Sequence, residues 1–183
     1  LGNKAKAGEL LARAEDWGER YEAESSPGEK ARALTDIARD YIALGNREDG
    51  ERLLAEALGT VDNKDNPFWK GWTRVGVAQG FLELGRDGEA RDLLGTALED
   101  TTAIEDVMKQ ARVRTDIATA YVELGDSIRG LEIVRDIESR GERAWALTRI
   151  AVIHREAGTA LDDQGRSLIR GIRDSAAGEV GGG

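Results

Sequence analysis

Apolar residues recur along this chain at steps of three and four, and the steps themselves come back in blocks. In "ALTDIARDYIAL" the residues Leu34, Ile37, Ala38, Tyr41 and Ile42 fall on one side of a 3.6-residue period, which predicts an amphipathic helix. A second stripe, Leu53, Leu54, Ala57 and Leu58, predicts another helix a few polar residues later. Between them stands Leu44-Gly45. Glycine takes the left-handed conformation that ends many helices, so the pair reads as a stop. Starts are equally legible: Ser26-Pro27-Gly28-Glu29 is a capping box with proline at the first helical position, and Asn66-Pro67 marks another start.

The block repeats. "IARDYIALGNREDGERLLAEAL" from Ile37 returns as "VAQGFLELGRDGEARDLLGTAL" from Val77 and as "IATAYVELGDSIRGLEIVRDI" from Ile117. The stops Leu44-Gly45, Leu84-Gly85 and Leu124-Gly125 are 40 residues apart, and a weaker copy, Ala157-Gly158, follows 33 residues on. Self-similarity at this period predicts stacked two-helix units. Gly50, Ala90 and Gly130 recur near the start of each second helix, where lack of bulk lets paired helices approach. Leu53, Leu54, Leu93, Leu94, Ile37, Val77, Ile117 and Ile150 are the expected core.

The copies resemble the tetratricopeptide repeat. Its pattern reads Leu34, Ile37-Ala38, Tyr41 in the first copy; Arg74, Val77-Ala78, Phe81 in the second; Arg114, Ile117-Ala118, Tyr121 in the third; and Leu147, Ile150-Ala151, His154 in the fourth. The second helices supply Gly50 and Leu54, Ala90 and Leu94, Gly130 and Val134, and Gly165 and Ile169. The large aromatic that usually opens the motif is Leu or Arg here, and the closing proline is absent. The resemblance implies an all-α fold, an α-solenoid of antiparallel helix hairpins wound as a right-handed superhelix. It implies one domain over 1–175, with a half repeat at 1–24, repeats at 27–62, 67–104, 108–140 and 143–174, and a disordered tail at 176–183. The opening helix, about 4 to 24, is expected to be a second helix without its mate. Its Leu10, Leu11, Ala14 and Trp17, with Leu168, Ile169 and Ile172 at the other end, are expected to be covered by more of the array or by another chain, or to drive self-association.

Composition removes much chemistry. No cysteine is present, so disulfides, thiolate metal sites and cysteine nucleophiles are excluded. A single histidine, His154, excludes multi-histidine metal sites and leaves it as a packing residue in the place of Tyr41, Phe81 and Tyr121. "DNKDNP" at 62–67 puts Lys64 where a calcium loop needs oxygen, and reads as a polar turn. Glycine-rich phosphate loops and nucleophile elbows are absent. The expectation is therefore a non-enzyme with no cofactor and no metal. A net charge of −9 argues against nucleic acid, and no apolar run approaches the length of a membrane span.

The candidate site comes from charge and aromatic placement. The first helices, over 30–43, 70–83, 110–123 and 143–156, carry ten Lys or Arg against six Asp or Glu, a net of +4 that leaves −13 for the rest of a chain whose total is −9. Trp72 and Trp145 occupy the place of Arg32 and Arg112 in the other copies, beside the apolar stripe. Such an edge suits a binding surface, since interfaces favour both residue types, and equally suits packing between repeats. In the tetratricopeptide family the first helices line the concave groove. On that basis Arg32, Arg39, Trp72, Arg112, Thr115, Trp145 and Arg149 are expected to share an accessible face that binds a protein or peptide segment of acidic or mixed acidic-apolar character. Ordinary ion pairing of the same cations is the competing reading. The lysine, asparagine and arginine clamp of the family's chaperone-binding subgroup has no counterpart in register. A structural subunit docking through its terminal helices is the alternative function.

Overall fold

The structure is a computed structural model; it describes Gly8, residues 26–61 and residues 66–178, with side chains as far as Asp174. Among these residues there are eight α-helices and no strand. They are α1 (Pro27–Leu44), α2 (Arg47–Thr60), α3 (Pro67–Glu83), α4 (Asp87–Asp100), α5 (Val107–Glu123), α6 (Ser127–Arg135), α7 (Arg140–Glu156) and α8 (Asp163–Gly178), with a 3-10 turn at Thr101–Ala103. Apart from Gly8, the expected helix over 4–24, with Trp17, lies outside the described residues, as does the turn at 62–65. The last helix runs three residues past the boundary expected at 175.

The helix ends follow the residues that predict them. Ser26 and Glu29 complete a reciprocal capping box, and Asn66, Asp106 and Ser139 each accept a backbone N–H of the following turn. All four stop glycines have positive φ: 89° at Gly45, 73° at Gly85, 80° at Gly125 and 64° at Gly158. After each, the next backbone N–H donates to the carbonyl of Tyr41, Phe81, Tyr121 or His154, at 2.8–2.9 Å. This is the Schellman closure, which satisfies carbonyls that the helix end would otherwise leave open.

Helices α1–α4 belong to one compact unit (Leu1–Asp100) and α5–α8 to a second (Thr101–Gly183). In the first, α1 packs on α2, α3 packs on α4, and α3 also lies against α1 and α2. Its core joins Leu34, Ala38, Tyr41 and Ile42 of α1 to Leu53, Leu54 and Ala57 of α2, and to Val77 and Leu84. A Cβ on Gly50 would come within 2.5 Å of Ile42, so the bare backbone there sets the close α1–α2 approach. In the second unit α5 packs on α6, and α7 lies against both. Gly130 repeats the arrangement: its Cβ would meet the Ala118 carbonyl at 2.7 Å. Cations on the first helices tie the hairpins. Lys30 pairs with Glu56 at 3.6 Å, Arg74 pairs with Asp100, and Arg114 donates to the Asp136 carbonyl at 3.0 Å.

Leu53, Leu54, Leu94, Val77, Ile117 and Ile150 are buried as expected, whereas Ile37 and Leu93 are only half-buried and pack against the core from its edge. The fourth hairpin departs further. Helix α8 packs on α6 and makes no comparable contact with α7, its neighbour in sequence. Two residue-level reasons are visible. The place of Ile42 and Val122, buried residues that contact Gly50 and Gly130, is taken by Arg155, and the connection 157–162 is longer than the short turns of the other hairpins. An exposed guanidinium cannot serve as the apolar wedge that closes a hairpin.

Candidate interaction surface

In the first unit the expected site residues are drawn into the protein's own contacts. The Arg32 guanidinium lies over the Trp72 ring, 5.8 Å from its centroid, and 3.8 Å from the Asp36 carboxylate. Trp72 meets Trp69 edge-on at 6.2 Å, and Trp69 meets Phe68 at 5.2 Å. Trp69 also covers Gly28, where any Cβ would collide with the indole. Arg39 donates from Nε and Nη2 to Glu83 at 2.9 and 2.7 Å and from Nη1 to Gln79 at 3.2 Å. The shallow depression beside it, about 590 Å³, is lined by Asp36, Asp40 and Glu83 as well as Arg39. Three carboxylates around one guanidinium leave no positive excess there.

The second unit differs. Arg149 donates to Asp116, which locks the register of α7 against α5. One turn toward the N-terminus of each helix stand Arg112 and Trp145, and one turn earlier again on α5 stands Met108. Met108 and Trp145 are each 56% exposed. Arg112 is exposed, and its guanidinium has no ion pair or hydrogen bond to any described residue. Met108 was not an expected member of the face; its only signal is that it stands where Phe68 stands in the preceding copy. Thr115, expected on the same accessible face, is instead 1% exposed, and its hydroxyl has no hydrogen-bond partner. Helix α5 is enclosed by the 3-10 turn, α6 and α7, so its buried zone is wider than a single stripe and takes in Thr115.

His154 is half-buried and bridges two hydroxyls, Ser127 at 3.1 Å from Nε2 and Thr159 at 2.8 Å from Nδ1. It ties the end of α7 to the start of α6. Among the described residues no three His, Asp or Glu side chains gather as a metal site, and no helix is long and apolar enough to cross a membrane. The perturbed titrating pair lies on the surface of the first unit. The Arg86 side-chain hydrogen bond holds the Glu89 carboxyl below its ordinary range, and the same bond raises Arg86, whose guanidinium also sits 4.5 Å over the Phe81 ring.

No protein-family model, no curated protein and no solved structure matches this chain. The tetratricopeptide resemblance accordingly rests on the residues quoted for it.

Proposed function

We propose that the chain is a non-catalytic protein-interaction module, a tetratricopeptide-like solenoid of right-handed sense, and that it captures a peptide on the face made by α5 and α7. The observation that carries this reading is the Met108, Arg112 and Trp145 face. Two of the three exposed large hydrophobic residues among those described flank an arginine with no acidic partner. Aromatic and arginine side chains dominate binding energy where they anchor a partner. The chemistry calls for a carboxylate against Arg112, with an apolar side chain on either side of it.

The test is peptide display against the intact chain. Enriched peptides should place Asp or Glu beside Leu, Met or aromatic residues, and binding should weaken as salt rises. Trp145→Ala and Arg112→Glu should each weaken a selected peptide by at least about tenfold. Both residues are exposed, so their loss leaves the core intact. Selected peptides whose affinity survives both changes would show that this face is not the site.

A further inference from the structure

The fourth hairpin leaves an open cleft of about 400 Å³. Four of its α7 residues stand where the first hairpin has buried ones. Leu34, Ala38, Tyr41 and Ile42 are 8, 0, 6 and 8% exposed, whereas their counterparts Leu147 and His154 are half-buried, and Ala151 and Arg155 are exposed. Buried Ile150 lines it with them, and Leu161 and Ile169 line it from the connection and α8. Arg155, His154 and Arg166 are the charged or ionisable members of its lining. None of the nine lining residues is acidic, in a chain with 35 Asp and Glu and a net charge of −9. Arg166 is already engaged, by Asp163 at 2.7 Å and by the Leu161 carbonyl at 2.5 Å. The Arg155 guanidinium has no ion pair or hydrogen bond to any described residue.

Size decides the class of occupant. A three-turn helix about 10 Å across fills roughly 1,200 Å³ and would seat only part of one side here. Small-molecule sites begin at about 300 Å³. We propose that the cleft binds a small free monocarboxylate with a medium-length apolar chain. The chain lies between Ala151 and Ile169, replacing the apolar contact that α8 does not make with α7, and the carboxylate pairs with Arg155.

The experiment is calorimetric titration of the whole chain with octanoate, butanoate, octanol and octylammonium. Octanoate should bind, and butanoate should bind far more weakly, since each methylene seated on apolar surface tightens binding about fourfold. Octylammonium should not bind. Arg155→Glu should abolish octanoate binding. Ala151→Leu, which places bulk in the open cleft at an exposed position, should abolish it as well, with helicity unchanged by circular dichroism. Trp145→Ala should leave octanoate affinity as it was, which separates this cleft from the α5–α7 face. Octanol binding as tightly as octanoate, or octanoate binding unmoved in either Arg155→Glu or folded Ala151→Leu, would overturn the proposal. So would loss of octanoate binding in Trp145→Ala. Binding of a peptide ending in a free Leu-Val carboxylate, without binding of octanoate, would also overturn it and assign the cleft to chain ends.

Discussion

Leu54 is the most informative side chain to truncate. It is fully buried between α1, α2 and α3, and its Cδ1 lies 2.7 Å from where a Cβ on Gly80 would stand. Leu54→Ala removes three carbon atoms from the core, a transfer loss of about 2.4 kcal/mol at roughly 0.8 kcal/mol per methylene. The void left by partial collapse adds on the order of 1–2 kcal/mol, so the expected cost is about 3.5–4.5 kcal/mol. Gly80→Ala alone pushes a methyl into the same leucine and should cost roughly 1–3 kcal/mol as an overpacked site. In the double variant the methyl introduced by Gly80→Ala occupies part of the space that Leu54 vacates. The double variant should therefore lose at least about 1 kcal/mol less than the two single losses added, a coupling expected only of residues in contact. Urea unfolding followed by circular dichroism measures all four chains, and fitting should allow the two compact units to unfold separately. Additivity within about 0.4 kcal/mol, or a Leu54→Ala loss below about 1 kcal/mol, would refute the packing of α2 against α3 argued from Gly80.

Gly130→Ala should destabilise by about 1–3 kcal/mol, because its methyl would meet the rigid Ala118 backbone carbonyl, whereas Gly88→Ala, with nothing within 4 Å, should stabilise α4 through helix propensity. Denaturation midpoints of the two variants should move in opposite directions. The Arg86–Glu89 pair sets a pH dependence whose sign follows from the lowered Glu89 pKa: its contribution is fully present above the ordinary glutamate range and is lost as pH falls through the lowered folded value. Carboxyl NMR should place the Glu89 midpoint lower in the native chain than in Arg86→Gln, and equal midpoints would show that the hydrogen bond does not persist in solution.

Local chemistry made much of this architecture legible before any coordinates. Proline at 27 and 67, the Ser26–Glu29 box and the four stop glycines act within a few residues of themselves. Backbone dihedral preference and unsatisfied helix-end groups are local properties, so helix ends can be read directly from the chain. The buried Leu54, Val77, Ile117 and Ile150 were legible for a related reason: each sits at the centre of an apolar stripe, which some neighbour must cover. The edges of those stripes were not. Ile37 and Leu93 stay half-buried, while Thr115 is enclosed, because burial there depends on how many neighbours surround each helix.

The charged residues depended still more on tertiary structure. Arg39, Arg112, Arg149 and Arg155 look alike in sequence, each on a first helix in a chain rich in acids. Arg39 meets Glu83 and Arg149 meets Asp116 across helix pairs, whereas Arg112 and Arg155 meet no described carboxylate. An ion pair requires two side chains from different helices to arrive within about 4 Å, and that follows from register and crossing, not from the period of either helix. The same holds for the cleft beside Arg155. The pattern of the fourth copy predicts two helices there, and predicts them correctly, but whether the two close on each other depends on the fit of Arg155, Gly165 and the six-residue connection in three dimensions. Helix formation is a short-range decision, and hairpin closure is a long-range one.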